Sequence, residues 1–195
     1  MDARLAEALC TRCGLCCDGS LFGDVELGRR EDSTSLVALG LDVEEDDDRE
    51  GAEVLLQPCA ALQERRCGVY PHRPGCCRTF ECRVLQEHRL GMIGATVAAA
   101  RVDEALRRID AVRVQLRQLG PVDPRLPLAE QVAEALAPME DGGSPEPTRG
   151  RQLLEAEWAP LRRWLQSTFL GNGRRKVGNS PKGPSTQGTL GSGRG

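Results

Sequence analysis

Cys10-Thr-Arg-Cys13-Gly-Leu-Cys16-Cys17 is the stretch on which the reading of this chain turns. Two residues between successive cysteines let a tight turn aim both sulfurs, with nearby backbone N–H groups, at one ion. Zinc sites and iron–sulfur clusters use the same arrangement. Gly14 suits the positive φ that such a turn requires. Adjacent Cys16 and Cys17 cannot readily both complete one mononuclear tetrahedral site. They serve two metals or opposite faces of a cluster, or one is a ligand and the other is buried or redox-active.

Outward from this stretch lie Cys59, Cys67, Cys76, Cys77 and Cys82, so all nine cysteines fall within the first 82 of 195 residues. Such density first invites a disulfide scaffold. The count is odd, the N-terminal Met1–Glu7 segment lacks a signal-like apolar core, and the chain is longer than most disulfide miniproteins. A cytoplasmic protein is therefore expected, and in a reducing cytosol clustered thiols are more often metal ligands or redox groups. Thiolates suit zinc, iron–sulfur clusters or cuprous copper, and not magnesium or calcium. The three cysteines spaced by three also match the first ligands of a bacterial ferredoxin, but its following proline is missing, since Pro58 precedes Cys59.

Histidine is scarce. His72 lies inside the cysteine region, as a ligand, a proton carrier or a surface residue, and His88 reads as structural or exposed. No Ser-His-Asp set, phosphate-binding glycine loop or dinucleotide fingerprint appears, which leaves hydrolase, kinase and nicotinamide-dehydrogenase readings without support. The longest uncharged apolar run, Met92–Ala100, is about half of what a membrane span requires, so no membrane is expected.

The net charge of -3 divides unevenly. Residues 171–195 carry +5 with no acid, leaving -8 on the rest. Glu44-Glu45-Asp46-Asp47-Asp48 lacks the interleaved glycine of a cation loop and reads as a solvated loop. The Gly-, Ser- and Pro-rich tail has too little apolar surface to repay ordering and is expected to be disordered, with weak, salt-sensitive contact with nucleic acid or anionic lipid as its partner expectation.

Strands are expected near Phe22–Leu27, at Glu53–Gln57 and at Cys67–Tyr70. A short helix fits Arg29–Leu39, with Gly40 placed to stop it, and another starts at Pro74 carrying Cys77, Phe80 and Cys82. Val102, Ile109 and Leu116 recur at seven, with Ala105, Val112 and Leu119 beside them, and Gly120-Pro121 ends that helix. A helix is expected over Leu128–Ala137, a linker over Asp141–Pro147, and a helix carrying Leu154, Trp158, Leu161, Leu165 and Phe169 with Pro160 kinking or restarting it. The expected fold class is α+β: a cysteine-rich metal-binding domain over 1–90, a helical region over 91–170 and a disordered tail over 171–195. The helical stripes either close the core of the metal domain or mediate association.

Cys10-x2-Cys13-x2-Cys16-Cys17, then Gln57-Pro58-Cys59, then Cys67-Gly-Val-Tyr70-Pro-His-Arg73-Pro74-Gly-Cys-Cys77-Arg78-Thr-Phe80-Glu-Cys82 resembles the YkgJ-type cysteine-cluster proteins over about residues 5–85. That family is described as zinc- or iron-chelating and is often classed as iron–sulfur-cluster-containing. The resemblance implies eight metal ligands, Cys10, Cys13, Cys16, Cys17, Cys59, Cys67, Cys77 and Cys82, with Cys76 as an extra thiol. It implies an iron–sulfur cluster or zinc as cofactor, with Arg73 and Arg78 offsetting thiolate charge. A related flagellin lysine methylase makes methyl transfer conceivable. A cluster-dependent oxidoreductase and a zinc-stapled adaptor are the other functional classes to weigh.

Overall fold

The computed structural model describes residues 3–28, 33–137 and 149–171. Helix α1 (Ala3–Cys13) ends where Gly14 takes φ +65°, a conformation that costs glycine least. The N–H of Gly14 donates to the carbonyl of Cys10 at 3.2 Å, and those of Cys17 and Asp18 return to the carbonyl of Gly14 at 2.9 and 3.0 Å. The Cys16-Cys17 pair therefore sits in a tight turn directly off the helix end.

Strand β1 (Asp24–Glu26), helix α2 (Ser33–Ala38), strand β2 (Val43–Glu45) and strand β3 (Glu53–Leu56) follow. They form an antiparallel sheet in the order β1-β3-β2, with Val25 and Val43 both opposite Leu55. Gly40, at φ +80°, stops α2 as expected, while residues 29–32 of the anticipated helix lie outside the described residues. The acidic run is corrected in part: Glu44 and Glu45 belong to β2 and are not loop. Their side chains are exposed on an edge strand, where charge is tolerated and discourages further pairing.

A second hairpin joins β4 (Leu62–Gln63) to β5 (Arg66–Cys67), and Tyr70–His72 form one turn of 3-10 helix, so the strand expected over Cys67–Tyr70 is shorter and begins earlier. Helix α3 (Gly75–Thr79), with Pro74 as its N-cap, carries Cys77 but ends before Phe80. Cys82 is the N-cap of α4 (Arg83–Arg89). The single helix expected here is broken because Phe80 and Cys82 both adopt extended backbone.

The remaining elements are α5 (Ala95–Leu119), α6 (Leu128–Leu136) and α7 (Arg149–Leu165), the last running into a π-helical turn at Gln166–Leu170. The helix runs unbroken through Pro160; Pro160 and Ala156 are both exposed, so water can replace the hydrogen bond that proline removes. The expected linker at 141–147 and almost all of the tail lie outside the described residues.

Two apolar cores result. The larger gathers Leu9, Leu15 and Leu21 with Val102, Ile109, Val112 and Leu116 of α5, Leu128 and Val132 of α6, and Leu154, Leu161, Leu165 and Phe169. The smaller lies under the sheet and comprises Leu27, Leu36, Leu41, Leu55 and Ala61. The helical stripes thus close a core against the segment that bears the first cysteines. Burying each large apolar side chain contributes about 1.5–3 kcal/mol.

Candidate metal centre

Several elements and the turns between them deliver the cysteines. Cys10 and Cys13 occupy the end of α1, three residues apart and hence on one helical face, and Cys16 and Cys17 lie in the turn after it. Cys59 follows the cis Gln57–Pro58 bond, Cys67 ends β5, Cys76 and Cys77 lie on α3, and Cys82 precedes α4. None of the nine is in a disulfide; Cys10 is exposed and the others are partly buried.

Cross-links in the backbone bring these elements together. The N–H of Cys59 donates to the carbonyl of Cys17 at 2.8 Å, and the N–H of Leu62 donates to the carbonyl of Cys59 at 2.9 Å. Leu62 stands opposite Cys67 in the hairpin, so Cys17, Cys59 and Cys67 share one corner. Phe22 and Phe80 pack edge to face, with centroids 5.4 Å apart, holding the loop after Cys17 against the α3–α4 junction. Arg65 reaches from the β4–β5 loop to donate to the carbonyl of Cys13 at 2.9 Å, satisfying an orphan acceptor at the end of α1. Asp18 accepts from Arg113 of α5 at 3.2 Å, tying the cysteine turn to the helical core.

The thiols affect one another electrostatically. Burial pushes Cys13 up to about 12; the N–H of Leu15 acts the other way, and the like charges of Cys82 and Cys10 add to the rise. Burial also pushes Cys17 up to about 12, helped by Cys59 and then Cys67. Cys16 rises through burial, then through Cys13 and Cys82. Cys59 and Cys82 are raised chiefly by burial. Cys10 is exposed as a residue, yet loss of water around its sulfur still raises it, offset by the charge of Arg73. Cys77 is raised first by its contact with Cys76, whose Sγ is 4.0 Å away, and then by burial.

A cluster of neighbouring thiols held neutral by burial and mutual repulsion suits a thiophilic cation, which supplies the charge they lack. The donor chemistry fits zinc or iron. Among the described residues, no three His, Cys, Asp or Glu side chains are already arranged as a metal-ion site, so binding requires the thiols to close around the ion. A family model described as "CxxCxxCC: Putative zinc- or iron-chelating domain" matches residues 9–96. No curated protein and no solved structure matches the chain.

The matched stretch extends through α4 to the start of α5. Within it, His72 is exposed at the end of the 3-10 turn, and His88 Nδ1 lies 3.0 Å from the carbonyl of Ile93, in a structural role. Arg73 stacks on Tyr70, its guanidinium carbon 3.7 Å from the ring centroid, and acts on Cys10, whereas Arg78 is exposed. Reasoning from sequence passed over Arg65 and the Asp18–Arg113 pair; the only hint was two arginines, Arg65 and Arg66, immediately before Cys67. Among the described residues, no helix is long and apolar enough to cross a membrane.

Proposed function

We propose that the chelating domain holds iron, as an iron–sulfur cluster, or zinc, through Cys10, Cys13, Cys16, Cys17, Cys59, Cys67, Cys77 and Cys82. The observation that carries this reading is the convergence of α1, the β4–β5 hairpin, α3 and the start of α4 on one thiol-rich region. Thiolate ligation would also stabilise a small sheet whose own core has only five buried apolar residues among those described. Anaerobic purification followed by elemental analysis and an absorption spectrum tests it. Iron with a broad band at about 400 nm marks the cluster, and stoichiometric zinc without colour marks the alternative. A protein that carries neither, and keeps its melting temperature in strong chelator, rules the reading out.

One observation favours a second reading, an enzyme in which the centre exchanges electrons or assists methyl transfer. A cavity of about 260 Å³ opens beside the cysteine turn, between Gly19–Gly23 and the helices, lined in part by Phe22, Glu130, Trp158, Arg162 and Gln166. Reversible bleaching of the visible band on reduction would support it. A colourless, zinc-only protein removes it.

A further inference from the structure

We infer that the chain has two separate four-thiolate metal sites, Cys10-Cys13-Cys16-Cys82 and Cys17-Cys59-Cys67-Cys77, with the boundary falling between the adjacent Cys16 and Cys17. This rests on the chelation reading and divides its eight ligands.

The division follows the two cores. Cys13, Cys16 and Cys82 pack against the large helical core, whereas Cys59 and Cys77, with Cys76, pack against the small core under the sheet. The backbone follows the same line. The first set is carried by α1, the residue pair after Gly14 and the cap of α4, and both helices lean on α5. The second is built on the Cys59–Cys17 hydrogen bond and the hairpin that sets Leu62 opposite Cys67.

Chemistry then favours two sites over one. Four thiolates complete a tetrahedral zinc ion or one iron–sulfur cluster, so eight complete two. Consecutive side chains point apart too strongly for Cys16 and Cys17 to finish the same tetrahedron, and the tight turn that holds them lets each serve its own side.

Native mass spectrometry of the full chain reconstituted with cobalt(II) under reducing conditions tests the division. The wild type is expected to hold two ions, and the paired variants Cys13→Ser/Cys82→Ser and Cys59→Ser/Cys67→Ser one ion each. Either paired variant losing both ions, while still folded by circular dichroism, overturns the division and leaves chelation intact. A wild type that takes up no cobalt overturns the chelation reading itself. If a variant does not fold, the wild-type titration decides: a break at two equivalents with an uncoupled high-spin signal from each ion supports two sites. A break at one equivalent, or spin coupling between thiolate-bridged ions, overturns them.

Discussion

Arg113, in the C-terminal half of α5, donates to the carboxylate of Asp18, the residue after Cys17, at 3.2 Å, and lies 3.3 Å from the hydroxyl of Ser20. Asp18 is only 11% exposed, so the pair is shielded from water in a way that surface ion pairs are not. Arg113→Ala is expected to lower stability by about 1–2 kcal/mol, since it leaves a largely buried carboxylate short of a charged donor. Urea unfolding of the metal-loaded protein measures this, and an unchanged midpoint would mean that the clamp contributes nothing.

Gly14 holds φ +65°, and a Cβ there would meet the Cα and Cβ of Arg65 at 3.5 Å. The contact is ordinary but the backbone conformation is not, so Gly14→Ala is expected to cost about 1–2 kcal/mol through strain. Because the turn aims Cys16 and Cys17, metal retention against a competing chelator should fall with stability. Full retention in the variant would show that the turn tolerates a side chain.

Metal removal should create an alkaline weakness. Burial raises Cys13 and Cys17 from an ordinary 9.0 to about 12 in the metal-free fold. A raised thiol pKa means that the folded state holds its protons more tightly than the unfolded chain. That stability is fully present below pH about 9 and is lost as pH climbs toward about 12. Thermal melts across this window should show the metal-free protein falling while the loaded protein, its thiolates already ligated, changes less. On the acid side the sign for uptake reverses: ions must displace protons, so affinity drops as pH falls.

Cys76 lies beside Cys77 with the sulfurs 4.0 Å apart. Cys76→Ser is expected to leave the metal content unchanged. Cys77→Ser should weaken the metal held with Cys17, Cys59 and Cys67 without abolishing it, because the neighbouring thiol substitutes. The double variant should lose that metal. Elemental analysis after dialysis against chelator ranks the three, and equal loss in both single variants would refute the spare role of Cys76.

Ile109 is fully buried in the core shared by α1, α5 and α7. Ile109→Ala is expected to cost about 2–5 kcal/mol. Since Leu9 and Leu15 sit in the same core, the cysteine turn should unfold with the helices in one transition. Separate transitions by far-ultraviolet circular dichroism and by release of the metal would show that the two parts are independent.

Much of this was legible before folding. The seven-residue recurrence of Val102, Ile109 and Leu116 survives as the buried stripe of α5, and Gly40 and Gly120 stop helices where glycine was read as a stop. The strand at Glu53–Leu56 was legible because Val54 and Leu55 are both buried between neighbours. Strand β2 was not, because its pairing with β3 is long-range and its own residues, Glu44 and Glu45, resemble loop. The break between α3 and α4 escaped as well, since only backbone geometry at Phe80 and Cys82 divides them.

By itself the sequence determined the donor chemistry: thiols at knuckle spacing can bind only what thiolates bind, whatever the fold. It also determined which faces of the helices are apolar, because helical periodicity is a local property. Which thiol neighbours which was decided only in three dimensions. Cys82 is 66 positions from Cys16 and Cys59 is 42 from Cys17, and no local rule spans such distances. The arrangement arises because α1 and α4 both pack on α5, which sets Cys16 and Cys82 against the large core, while the backbone bond from Cys59 to Cys17 ties Cys17 to the segment that leads into the hairpin.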